Sequence, residues 1–132
     1  MQDSISMQAV SDKYRLIVFD YSDTLVNEET GAVLISGEII TCLKRKGLRL
    51  AVFTGSAERE IRRVLEDEYS GVFDVVVTRE SVKRTKPDPE GLILIIKEVC
   101  MNKDEVLFVG DSKNDELAAS AAGIDFLHIT DM

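Results

Sequence analysis

Asp20 closes the apolar run "RLIVFD", Thr54 closes "LRLAVFT", and Asp111 closes "EVLFVGD". Lys86 stands in the loop "KRTKPDP", and Asp115 follows Asp111 at a spacing of one helical turn in "GDSKND". If the runs end on one edge of a sheet, these residues converge. Carboxylates could then hold a hard divalent cation, while a hydroxyl, an ammonium and backbone N–H groups grip the oxygens of an anion such as a phosphate. Taken singly, each residue has a plainer explanation. A strand-tip aspartate caps turns, a loop lysine is usually solvated, and Thr54 or Ser56 reads as a cap for the next helix. Ser112 and Asp115 have capping-box spacing. His128, the only histidine, reads as structural, and Arg59, Arg62 and Arg63 as a solvated helix face.

Five apolar runs would have to position this set: the three above, "FDVVVT" and "IDFLHIT". They are rich in Val, Ile, Leu and Phe without clean alternation, the pattern of strands covered on both faces. Helical patterns lie between them. Gly37 to Lys46 follows Ser36 as N-cap, with Ile35 and Ile40 as a hydrophobic staple. A second helix follows Ser56 and buries Ile61, Val64 and Leu65. A third has Asp88 as cap, Pro89 in the first helical position, and Leu92, Ile93, Ile96 and Val99 facing inward. The last runs from Lys113 to Ala122 and stops at Gly123. Strand–helix alternation predicts an α/β, three-layer Rossmann-like fold with a mostly parallel five-stranded sheet, whose reactive edge is the carboxyl end of the strands.

At 132 residues, 45% hydrophobic and 30% charged, the chain has the composition of one globular domain. Its net charge of −8 excludes a nucleic-acid partner but not a small phosphorylated one, because a bound dication inverts the local field. No stretch has the length of a membrane span. Residues 1–13 read as a loose tail, with Met7 as an alternative start, and 14–132 as the domain. Cys42 and Cys100 read as buried free thiols of a cytoplasmic protein.

"VFDYSDTL", "VFTGS", "KPDP" and "VGDSKND" resemble, in order, the four motifs of the haloacid dehalogenase-like hydrolases. The resemblance implies that Asp20 is a nucleophile forming an aspartyl-phosphate, that Thr54, Gly55 and Lys86 bind the phosphoryl group, and that Asp20, Asp111, Asp115 and the Ser22 carbonyl hold Mg²⁺, with Asp115 acting directly or through Lys86 or water. It also marks a departure. The family's phosphatases usually place an aspartate two residues after the nucleophile, followed by glycine, and here those positions are Ser22 and Asp23. Serine is too weak an acid to protonate a leaving group near neutral pH. Either the second step is slowed, or Asp23 substitutes as the acid.

The gaps between motifs are too short for a separate cap domain, so an open site is expected. Its substrate would be a phosphorylated macromolecule or small molecule, or a neighbouring subunit of a homo-oligomer would cover it. The leading expectation is a Mg²⁺-dependent phosphoric-monoester hydrolase. The alternative is a weak or inactive relative that binds a phosphorylated ligand or partner. A phosphoacceptor receiver domain fits less well, because its lysine should follow the last strand.

Overall fold

The computed structural model describes residues 7–132. Its elements run α1 (Met7–Lys13), β1 (Leu16–Phe19), α2 (Gly37–Arg45), β2 (Arg49–Phe53), α3 (Glu58–Asp67), β3 (Val75–Val77), α4 (Glu90–Val99), β4 (Val106–Gly110), α5 (Lys113–Ala122) and β5 (Asp125–His128). All pairings are parallel, in the order β3-β2-β1-β4-β5. That order departs from the 2-1-3-4-5 arrangement of receiver-like folds and puts the switch in strand order at β1 and β4.

The uninterrupted apolar runs are explained by two cores, one on each face. Ile17, Phe19, Leu50, Val52, Leu107 and Val109 pack with residues of α1, α2 and α3. The alternate residues Leu16, Val18, Ala51, Phe53, Val106 and Phe108 pack beneath α4 and α5. Burying each of these side chains larger than Ala51 contributes about 1.5–3 kcal/mol, so the central strands anchor the molecule. Between β1 and α2 the chain makes only turns and the isolated bridges Ser22–Val26 and Val26–Val33; the described residues hold no cap domain. None of their helices is long and apolar enough to cross a membrane.

Several local expectations shift. Residues 7–13 of the expected tail form α1, and Val10 is buried against the core; residues 1–6 lie outside the described part. The α4 cap is Pro89 rather than Asp88, although the Asp88 carboxylate accepts from Glu90 N at 2.9 Å. Ile95, not Ile93, completes its buried face, and Ile93 is exposed. Ile61 is buried as expected, whereas Val64 and Leu65 are only partly so. Neither thiol is fully buried: Cys42 is half-buried, and Cys100, the left-handed C-cap of α4, is exposed.

Candidate active site

β1 lies between β2 and β4, with Phe19 in register with both Val52 and Val109. Asp20 therefore emerges beside the last residues of both neighbours, and its N–H still donates to the Val109 carbonyl at 3.0 Å. Thr54 and Asp111 leave β2 and β4 at the same edge. Together with Lys86, Gly55 and Ser22, these residues line one cavity of about 340 Å³. The predicted convergence is present.

Lys86 is the hub. Its Nζ lies 2.8 Å from Asp20 Oδ1 and 2.7 Å from Asp115 Oδ1. The stem crosses the Phe53 ring, with Nζ 5.1 Å from the ring centroid. The opposite oxygen of Asp115 accepts from the backbone of Asp111 at 3.1 Å and of Ser112 at 3.2 Å. Ser112 Oγ in turn accepts Asp115 N at 3.1 Å, which completes the capping box. Asp115 thus does two jobs. It is fully buried behind the lysine, so its contact with the cavity runs through Lys86. The backbone leaves just enough room: a Cβ at Gly110 would meet Asp115 Oδ2 at 2.5 Å.

Two buried carboxylates share one ammonium, and this imbalance sets their protonation. Burial pushes the Asp20 carboxyl up to about 8, against the pull of Lys86 and with a further push from Asp115. Burial also works upward on Asp115, but the Lys86 charge and hydrogen bond hold it below the ordinary carboxylate range. The lysine itself is raised, because the two carboxylates outweigh the effect of burial.

Oxygens of Asp20, Asp111 and Asp115 lie within 4.8 Å of one another. The two of these that line the cavity, Asp20 and Asp111, are hard oxygen donors that fit a divalent cation, with Asp115 behind them. A pH dependence follows. Asp20 keeps its proton between its ordinary value of 3.8 and about 8, where the unfolded chain has lost it. The folded state then binds more protons than the unfolded one, so metal-free stability should fall as pH rises across that window. A divalent cation bound there must displace the proton, so cation affinity should rise over the same window. Calorimetry near pH 7 in two buffers of different ionisation enthalpy should show proton release. Equal heats in both would contradict a protonated Asp20.

Lys86→Met leaves Asp20 and Asp115 facing each other without their counter-charge. Removing one partner of a buried ion pair costs about 3–5 kcal/mol. Urea unfolding above pH 8 should show a loss of that size, and a change under about 1 kcal/mol would contradict the two-to-one sharing.

The remaining expected residues divide. Thr54 Oγ1 accepts Ser56 N at 3.1 Å, which leaves its O–H free to donate into the cavity. Ser56 is not the helix cap; Ala57 holds that position, its N–H taken by Glu60 Oε1 at 2.7 Å, and Ser56 lines the cavity instead. Asp23 sits at φ 59°, the left-handed conformation for which the resemblance supplies glycine. Its Oδ1 accepts Glu28 N at 2.9 Å, so the carboxylate that would have to substitute for the missing acid already anchors the loop.

Two residues, Thr24 and Glu28, were not anticipated at the site, and His128, read as structural, braces it. Thr24 is buried and its Oγ1 lies 3.4 Å from Asp111 Oδ1. Glu28 reaches the cavity from the loop after β1. His128, in register with Gly110, places Nε2 at 3.0 Å from the Asp111 carbonyl oxygen; a carbonyl only accepts, so Nε2 carries the proton. Parallel pairing of the last two runs was the signal for His128. Glu28 gave none.

A family model described as haloacid dehalogenase-like hydrolase matches residues 8–129. Phosphoglycolate phosphatase 1 of Pseudomonas aeruginosa is 30% identical over 123 residues, covering 92% of this chain and 44% of that protein. The phosphoglycolate phosphatase of Salmonella typhimurium is 34% identical over 105 residues, covering 77% of this chain and 42% of the relative. The chain thus spans less than half the length of these curated relatives. A solved structure of a haloacid dehalogenase-like hydrolase from Bacteroides fragilis is similar in fold, with a TM-score of 0.74 at 23% identity and 86% of each chain covered.

Proposed function

Because the chain belongs to the haloacid dehalogenase-like hydrolase family, we propose that it hydrolyses phosphoric monoesters through an aspartyl-phosphate on Asp20. The observation that carries this reading is the cavity itself: one carboxylate at its floor, one ammonium 2.8 Å away, and a threonine hydroxyl on its wall. The names of the relatives concern phosphoglycolate, but this chain matches less than half of each, so the reading takes their reaction class and not their substrate.

In this mechanism Asp20 attacks phosphorus in line with the ester oxygen, the P–O bond to the alcohol breaks, and the phosphoryl group passes to the carboxylate. The Thr54 hydroxyl and Lys86 Nζ hold its equatorial oxygens as charge develops. Asp20, Asp111 and the Ser22 carbonyl would hold Mg²⁺, while Asp115 steers Lys86 and braces the Asp111 loop. The cation supplies positive charge that offsets repulsion between nucleophile and dianion. Water then attacks the aspartyl-phosphate and returns Asp20. Ser22 offers no carboxyl either to protonate the leaving alkoxide or to activate that water, so alkyl esters react slowly and aryl esters, with better leaving groups, react faster.

We place the protein in the cytoplasm; the support is two cysteines with no disulfide between them. The test of function is rapid mixing with p-nitrophenyl phosphate and Mg²⁺. A burst of one nitrophenolate per chain followed by slow release is expected, with borohydride trapping the label on Asp20. Labelling without any release would favour the phosphate-binding alternative, which the serine at position 22 supports. The absence of both labelling and release would sink the enzyme reading.

A further inference from the structure

The reaction cavity continues sideways. A second compartment of about 300 Å³ shares Ser22, Glu28 and Ser56 with it. Tyr21, Val26, Ile61 and Val64 form its wall, and the first three are almost wholly buried. Two carboxylates, Glu28 and Glu60, border it, and no lysine or arginine lines it among the described residues. The one cation of the reaction cavity, Lys86, is already tied to Asp20 and Asp115.

The start of α3 lies alongside, and a helix N-terminus would ordinarily welcome an anion. Here two of its donors are taken: Ala57 N–H by Glu60 Oε1 at 2.7 Å, and Glu58 N–H by Glu80 Oε1 at 3.0 Å. Glu28 is placed by its own N–H, which Asp23 Oδ1 accepts at 2.9 Å. The compartment therefore offers an apolar wall, a negative rim and no spare positive group.

We propose that this compartment receives the alcohol half of the substrate and selects esters whose alcohol is apolar-bodied and neutral or cationic, against those bearing a carboxylate. The inference rests on the phosphate site described above. A leaving group bonded to a phosphoryl at Asp20 begins within one bond of phosphorus, and this is the walled space contiguous with that point. A terminal carboxylate would sit a few ångströms from two like charges, whereas an ammonium would meet opposite ones. At the dielectric of a partly open cleft, each unit of charge changes binding by about 3–10-fold.

Calorimetry with three straight-chain alkyl phosphonates of equal length, ending in methyl, ammonium or carboxylate, tests this with Mg²⁺ present, because phosphonates bind whether or not the chain turns over. Affinity should rank ammonium, methyl, carboxylate, with steps of about 3–10-fold. Glu28→Gln should narrow the spread, and adding Glu60→Gln, whose amide oxygen still accepts Ala57 N–H, should narrow it to under about twofold. A carboxylate that binds as well as methyl, or a spread unchanged in both variants, overturns the proposal. p-Nitrophenyl phosphate turnover separates it from the enzyme reading. A chain that fails to hydrolyse the ester but ranks the phosphonates as stated loses the enzyme and keeps the selectivity; the converse result keeps the enzyme and loses the selectivity. If none of the three binds, the selectivity falls whatever the turnover.

Discussion

Asp20→Asn is expected to take phosphate-ester turnover to background and, in the same protein, to flatten the pH dependence of metal-free stability between pH 4 and 8. The first effect follows because a carboxamide cannot supply the attacking oxygen of an anionic nucleophile. The second follows from the charge count. Asp20 is pushed up to about 8 because burial outweighs one ammonium already shared with Asp115. Asparagine has nearly the same shape and no proton to lose, and it leaves Lys86 and Asp115 as a one-to-one pair. Melting temperature against pH for both proteins checks the charge argument, and borohydride labelling checks the nucleophile. A variant retaining a sizeable share of wild-type turnover would require another nucleophile. A pH slope as steep as that of wild type would place the surplus charge elsewhere.

Ser22→Asp carries the largest expected gain. Supplying a positioned general acid–base typically changes rate by about 10²–10⁴-fold. Ser22 borders both compartments, so a carboxyl there stands where the alcohol leaves. Asp20, Asp23 and Glu28 line the same cavity; their like charge would raise the new carboxyl, which favours holding a proton until it is needed. Steady-state turnover of an alkyl phosphate should rise by that factor, and the burst with aryl phosphate should merge into the steady rate as dephosphorylation ceases to lag. A variant no faster than wild type would show that the serine does not limit the reaction.

Much of this is legible in the sequence alone. Strands covered on both faces must be apolar throughout, so all five runs announced themselves, and the polar residue ending each run marked the reactive edge. α5 was equally clear, because Ser112, Asp115 and Gly123 state its start and stop through local hydrogen bonds. α4 was harder. Its run "LILII" is apolar all round, so periodicity cannot choose between Ile93 and Ile95. The Asp88 carboxylate makes a cap-like bond one residue early, which disguised the boundary. α1 escaped notice because it is short and its anchors are tertiary: Tyr14 Oη to Asp125 at 2.6 Å, and Lys46 Nζ to Gln8 Oε1 at 2.9 Å. In the site, the residue types could be read, but the sharing of Lys86 by two carboxylates joins positions 66 and 29 residues away in sequence (86 − 20 and 115 − 86), and only folding reveals it.

Gly110 has a consequence of a different kind. Its backbone lies outside the left-handed region, so conformational preference alone would admit any residue, and it faces no substrate. Yet the smallest side chain would displace the carboxylate that steadies Lys86, because the neighbouring oxygen is only 2.5 Å from where that first carbon would lie. Mutational tolerance at this position is therefore governed by the room an electrostatic assembly needs rather than by backbone conformation. Alanine there should lower both activity and stability, because the displaced carboxylate also caps α5, and a deep scan of variants scored for both abundance and activity would set position 110 apart from the other strand tips.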